Sequence, residues 1–334
     1  MTNPDDAIRG LCEPLPFAWG SAPDTGSGTF PVVLLPESQW PLEDLVKANA
    51  GQLLAVLEHC GAILFRGFPD GGDLGFHQFI ESFALDPFTY DESLSNAVRK
   101  NRSDRVFTAN EAPPELEIYL HHEMAQTPRF PHYLFFYCEQ AATRGGATPL
   151  CRSDQLLKAL EQRLPDFIGQ CRRLGVTYTH TMPAEADSGS GQGRSWRETL
   201  AVACRDAAEA KLGHLGYRWQ WQEGDDLRVT TPCLPAIRKN ATGQEVFFNQ
   251  LVAAFAGWQD RRNSVRNALA FGDGSTMPES ALEALVSIAY EQVYDHAWQP
   301  GDVLLLDNLR VMHGRRPFAG RRVVLAGLAA GMQH

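Results

Sequence analysis

Two short polar motifs far apart in the chain limit most tightly how it can fold. The first is His121-x-Glu123, inside Ile118-Tyr119-Leu120-His121-His122-Glu123-Met124; the second is His313, inside Asp307-Asn308-Leu309-Arg310-Val311-Met312-His313-Gly314-Arg315. On an extended backbone, residues i and i+2 share a side, so His121 and Glu123 converge on one point while His122 points away. An H-x-E alone is an ordinary polar turn. Joined to a histidine on a distant buried strand it becomes a candidate metal site, and the fold must then bring an early strand beside one of the last. A jelly roll does this.

Two neutral imidazoles and one carboxylate are the facial triad of non-haem iron(II) oxygenases, which leaves three coordination positions open for a bidentate co-substrate and dioxygen. No cysteine stands beside these residues at ligand spacing, which disfavours a closed structural zinc site. An enzyme of this kind that uses 2-oxoglutarate also needs a cation for the far carboxylate. Arginine suits it, because its fork matches a carboxylate and stays charged. Arg321 and Arg322 are adjacent on a strand, so only one can face the interior; Arg315, two residues past His313, is a further candidate. Thr148 follows Gly145-Gly146 and by itself reads as a turn residue. Asn249, in Phe247-Phe248-Asn249-Gln250, is either a polar group turned into a pocket or a strand-end cap.

The rest of the chain frames these residues. A length of 334 residues with 44% hydrophobic content suits one large β-rich domain, here residues 31–334, preceded by a loosely structured arm over residues 1–30 rich in Pro, Gly, Ser and Asp. The net charge of -10, with no lysine and arginine run among aromatics, sets nucleic acid aside as a substrate. Seven scattered cysteines without a C-x-x-C pair point to free thiols in a reducing compartment, and no apolar run reaches membrane-spanning length, so the expected setting is cytoplasmic.

Leu42, Leu45, Val46, Leu53 and Leu57 predict a helix closed by Gly61, followed by a buried strand over Ala62–Phe68. Phe76, Phe79, Ile80 and Phe83 lie at helical spacing. Residues 84–117 read as a long irregular segment leading to the H-x-E stretch. Tyr133–Cys138 is an apolar strand, and Ser153 is a candidate N-cap for a helix carrying Leu156, Leu157 and Leu160. Residues 181–195 read as a mobile Gly/Ser loop, and no Rossmann or P-loop spacing occurs.

From about residue 60 to 330 the chain resembles the taurine dioxygenase-like superfamily of iron(II)/2-oxoglutarate enzymes, in particular its clavaminate synthase-like and syringomycin-pathway aspartyl hydroxylase-like branch. The resemblance is carried by Arg66-Gly67-Phe68, Ala112-Pro113-Pro114, His121-x-Glu123, Gly145-Gly146-x-Thr148, Phe247-Phe248-Asn249-Gln250, Trp298-x-x-Gly301-Asp302, Asp307-Asn308, His313-Gly314-Arg315 and Gly320-Arg321-Arg322, in that order. It implies a mainly β double-stranded β-helix with helical insertions. It implies His121, Glu123 and His313 as iron ligands, Thr148 and Arg322 on 2-oxoglutarate, and dioxygen as the second co-substrate. The implied reaction decarboxylates 2-oxoglutarate to succinate and oxidises, most often hydroxylates, an unactivated C–H of a small molecule. Analogy with the branch suggests an amino acid, free or tethered to a carrier protein in natural-product assembly. Halogenases of this fold carry a small residue at the carboxylate position, so Glu123 speaks against halogenation. Taurine dioxygenase has an arginine four positions beyond the co-substrate anchor; here that position is Ala326, which makes a small sulfonate a poor candidate.

Other outcomes on the same centre are desaturation, cyclisation or epoxidation. A cupin-type metal-dependent hydrolase or isomerase would use the three ligands but neither Thr148 nor Arg322. A sensor protein would bind 2-oxoglutarate without making succinate.

Overall fold

The computed structural model describes residues 8, 10–12, 15–20, 30–88, 101–109, 112–187, 193–258, 262–264 and 268–334. Seven strands form the larger of two facing sheets: β1 (Phe17–Trp19), β2 (Val32–Pro36), β3 (Ala62–Phe65), β4 (Phe107–Thr108), β6 (Arg129–Gln140), β9 (Val303–Asp307) and β11 (Val323–Gln333). Their order is β1-β2-β3-β9-β6-β11-β4. Four strands form the smaller sheet, β5 (Ile118–His121), β7 (Thr148–Arg152), β8 (Tyr294–His296) and β10 (Val311–Arg315), in the order β8-β7-β10-β5. This pair of sheets is the expected double-stranded β-helix.

The period-2 alternation of a strand decides what each sheet face meets. On the larger sheet Ile63, Phe65, Tyr133, Phe135, Tyr137, Val303, Leu305 and Leu325 turn outward, into a core shared with helices α1 (Leu42–Cys60) and α2 (Gly72–Glu81). Their neighbours Leu64, Leu134, Phe136, Leu304, Leu306, Val324, Ala326 and Leu328 turn inward, into the core between the sheets. The smaller sheet divides the same way. Leu150 and Val311 join the inner core, while Leu120, Cys151 and Met312 face helices on the outside, including α3 (Ser153–Arg163). Both sheets are buried on two sides, which is why their strands read as continuous apolar runs.

Gly61 ends α1 in the left-handed region, at φ 82°, with its N–H on Leu57 O at 2.7 Å. A β-carbon there would also come within 2.8 Å of Val311 Cγ2. Glycine is needed twice over.

Several expectations are corrected. Residues 15–20 are not a loose cover: β1 pairs antiparallel with β2 through Phe17↔Pro36 and Trp19↔Leu34, and Leu15 and Phe17 are buried in the outer core. Ser153 does not cap α3. The N-cap position is Arg152, without a side-chain cap, and the Ser153 hydroxyl is taken up elsewhere, as described below. Of the loop expected over 181–195, residues 188–192 lie outside the described residues; Thr181 and Met182 belong to strand Val176–Met182, and Ser195 forms a capping box with Glu198 at the start of helix Trp196–Leu200. Within 84–117, residues 89–100, 110 and 111 lie outside the described residues, and β4 occupies Phe107–Thr108.

Strand Val176–Met182 heads a third sheet with Arg218–Trp221, Leu227–Thr230 and Leu269–Phe271. On it His180 is 8% exposed, its ring edge-on to Trp258, and neither ring nitrogen has a hydrogen-bond partner among the described residues. Burial pushes its pKa down to about 4. The unfolded chain therefore takes up a proton near pH 6.5 that the folded chain refuses until about pH 4, so stability should fall as pH drops through that window. His180→Phe is expected to remove this part of the acid destabilisation, at most about 3 kcal/mol, measured by urea unfolding at pH 7 and pH 4.5. An identical pH dependence in the variant would contradict it.

Candidate metal centre

The antiparallel register of the smaller sheet brings the two motifs together. His313 of β10 lies directly opposite His121 of β5 on one side and Leu150 of β7 on the other. Residues opposite each other in such a pair project from the same face, and Leu150 belongs to the inner core. His121 and His313 therefore face inward, with ring centroids 4.3 Å apart. Glu123, two residues beyond His121 and 4% exposed, places Oε2 3.8 Å from Nε2 of each histidine. One donor atom from each of the three residues fits within 4.8 Å of the others.

The backbone at Glu123 is fixed from across the molecule. The buried Asn308 side chain accepts from Glu123 N–H at 2.8 Å and donates to Glu123 O at 3.0 Å and Pro131 O at 2.8 Å. His121 Nδ1 donates to Tyr119 O at 2.8 Å, so the lone pair sits on Nε2, the nitrogen facing Glu123. His122, of opposite parity, is fully buried behind the sheet. Its Nδ1 meets Asn308 O, and its Nε2 meets the Ser153 hydroxyl at 2.7 Å and Phe247 O at 3.1 Å. Burial holds His122 neutral, its pKa near 3. The roles of Asn308 and Ser153 escaped the sequence reading because their partners stand 185 and 31 residues away.

A second cluster lies where β7 begins. Thr148 is 4% exposed and two residues before Leu150 on the same strand face. Its hydroxyl oxygen accepts from Trp298 Nε1 at 2.9 Å and lies 3.4 Å from Arg322 Nη2. Of the adjacent arginines, Arg321 is exposed while Arg322 turns in, its Nε–H donating to Gly146 O at 3.0 Å. Gly146 stands at φ 72°, and a β-carbon on it would lie 3.0 Å from Arg322 Cδ, so the glycine makes room for this side chain. Burial, then the nearby Arg315 charge, pull the Arg322 pKa down to about 10. Among the described residues no carboxylate lies within 4 Å of it. A half-buried guanidinium with two neutral acceptors is electrostatically short of an anion.

Other candidates resolve differently. Arg315 donates to Ala112 O, Pro113 O and Leu116 O, clamping the segment that leads into β5. Asn249 is 2% exposed, donates to Ala236 O and accepts from Leu251 N–H, so of its two readings the structure supports the strand-end cap and not a substrate contact. Asp302 of the Trp-x-x-Gly-Asp motif holds Arg66 through both carboxylate oxygens, at 2.8 and 2.6 Å.

The Taurine catabolism dioxygenase TauD, TfdA family model matches residues 33–328, nearly the whole chain and both motifs with it. The chain belongs to the TauD/TfdA family. It is thereby an iron(II)/2-oxoglutarate-dependent oxygenase, and the clustered His-x-Glu and distal His of this TauD/TfdA chain agree with that chemistry. A clavaminate synthase-like protein of Arabidopsis thaliana is 36% identical over 317 residues, covering 95% of this chain and 94% of its own. The dapdiamide synthesis protein DdaC of Enterobacter agglomerans is 27% identical over 286 residues, covering 82% and 83%. Among solved structures, PvcB from Pseudomonas aeruginosa superposes with a TM-score of 0.56 at 15% identity, covering 94% of this chain and 91% of its own. AAD-2 in complex with Mn(II) and N-oxalylglycine gives 0.55 at 14%, covering 96% and 99%. At such identities these two speak for the TauD/TfdA fold alone.

Proposed function

We propose that His121, Glu123 and His313 hold iron(II), that Arg322 and Thr148 hold the far carboxylate of 2-oxoglutarate, and that the enzyme hydroxylates an unactivated C–H of an amino acid, free or presented by a carrier protein. The observation that carries the reading is the pairing of two imidazoles and a carboxylate on the inner sheet face with a half-buried arginine that has no anionic partner among the described residues. The donor set suits a ferrous ion, and the arginine suits a dicarboxylate. When bound, iron and 2-oxoglutarate supply oxygen activation coupled to decarboxylation to succinate.

The residues of the chain orient and shield. Tyr119 O fixes the His121 tautomer, and Asn308 fixes the backbone that carries Glu123. Phe136, 5.2 Å from the His313 ring, and the inward Leu134, Val324, Ala326 and Leu328 keep that side apolar and dry. An apolar wall suits a substrate that presents hydrocarbon to the metal, and Ala326 offers no cation for a sulfonate. The relative named for dapdiamide synthesis supports looking first to natural-product biosynthesis. Seven free cysteines suit a reducing, cytoplasmic setting, and no helix among the described residues is long and apolar enough to cross a membrane.

The test is a screen of free and carrier-loaded amino acids, reading succinate formation and a product 16 mass units heavier. We expect succinate to rise well above the substrate-free rate with at least one of them. Succinate coupled to a product two mass units lighter would replace hydroxylation by desaturation or ring closure. Turnover without succinate or 2-oxoglutarate would favour a hydrolase or isomerase.

A further inference from the structure

The Thr148 hydroxyl has one hydrogen to donate and two lone pairs to offer. Trp298 Nε1 donates to that oxygen at 2.9 Å, and Arg322 Nη2 approaches it at 3.4 Å. With donors on both lone pairs, the threonine hydrogen must point away from them. An indole N–H cannot accept, so the polarity of this contact cannot reverse.

Trp298 is itself held firmly. It is 9% exposed, and the ring of fully buried His296 stands edge-on to it at 4.5 Å. His296 Nε2 lies 3.5 Å from Asp302, which is in turn gripped by Arg66 and by the backbone N–H of Gln299 at 2.8 Å. The Trp-x-x-Gly-Asp and Arg-Gly-Phe motifs are thus joined into one support that ends on the threonine hydroxyl.

We propose that Trp298 is a specificity-determining positioning residue: by donating to Thr148 it fixes that hydroxyl as a donor, so the Arg322 anchor offers only hydrogens and selects a keto acid with a distal carboxylate over one with a distal carboxamide. A carboxylate accepts hydrogen bonds from every side. A carboxamide brings an NH2 group that would meet the arginine or the threonine hydrogen, donor against donor. This rests on the assignment of 2-oxoglutarate to Arg322 and Thr148.

The experiment is anaerobic titration of the iron(II)-loaded protein with 2-oxoglutarate and with 2-oxoglutaramate, following the visible charge-transfer band. The wild type should prefer the dicarboxylate by at least about 100-fold. Trp298→Phe keeps a ring but removes the donor, and Trp298→Leu removes both, so either folded variant suffices. Each should lower the preference about tenfold, mainly by admitting the amide, with iron affinity unchanged. Thr148→Val should lose the same preference, and adding Trp298→Phe to it should cost nothing more. A preference kept in Trp298→Phe but lost in Thr148→Val overturns the role of the indole. Equal weakening of both keto acids reduces Trp298 to packing. If the wild type binds neither keto acid, the 2-oxoglutarate assignment fails, and this proposal with it.

Discussion

Replacing His313 with alanine is expected to abolish productive iron binding while leaving the fold in place. The loss of an outer partner of a metal ligand typically costs 10–100-fold in affinity, so deleting a ligand should cost at least about 100-fold. The charge-transfer band that iron(II) and 2-oxoglutarate give anaerobically should disappear, and 2-oxoglutarate consumption with it. The far-ultraviolet circular dichroism should remain that of the wild type, because the neighbours of His313 on β10, Val311 and Met312, keep their own places in the two cores. Glu123→Ala should behave alike. A full band from iron-loaded His313→Ala would mean that the three side chains do not share an ion.

Arg322→Gln is expected to leave iron binding intact and to weaken 2-oxoglutarate binding about 10- to 100-fold, the scale of one strong charge-assisted hydrogen-bonded pair. Lysine should rescue it only in part, since an ammonium keeps the charge but not the fork. Arg321→Ala serves as the control, because that side chain is exposed. Burial draws the Arg322 pKa down to about 10, so the free anchor is charged at and below neutral pH and loses its proton only as pH rises toward 10. Binding of 2-oxoglutarate should accordingly hold from pH 7 to about 10 and weaken only above that, as read by anaerobic titration. If Arg322→Gln binds the keto acid like the wild type, the anchor lies elsewhere.

Much of this was legible before any coordinates. Strand and helix placement followed from apolar spacing, because a buried sheet and an amphipathic helix each leave a local period in the sequence. The end of α1 was readable for the same reason, since the left-handed turn at Gly61 constrains a single residue. His121, Glu123 and His313 were readable because the chemistry demands their types and the i, i+2 spacing demands their direction. Expectations failed where local signals competed with distant partners. Ser153 has the look of a cap, but His122 takes its hydroxyl. For Asn249 spacing left a pocket group and a strand-end cap both open, and Ala236 and Leu251 take its amide. The N-terminal segment lacks helical or strand periodicity, yet β2 offers its edge to Phe17–Trp19.

The sequence by itself offered the three donors, the apolar strands and the candidate arginines for an anion anchor. Each of those is a property of residue type and short-range spacing. Only the tertiary structure decided that β5 and β10 pair in the register that sets His121 opposite His313, and that Arg322 turns in while Arg321 is exposed and Arg315 is spent on backbone carbonyls. It alone showed that Asn308 bonds the backbone of Glu123 and that Trp298 donates to the Thr148 hydroxyl. Pairing and hydrogen bonding across the barrel depend on which segments meet, and no local period in the chain records that.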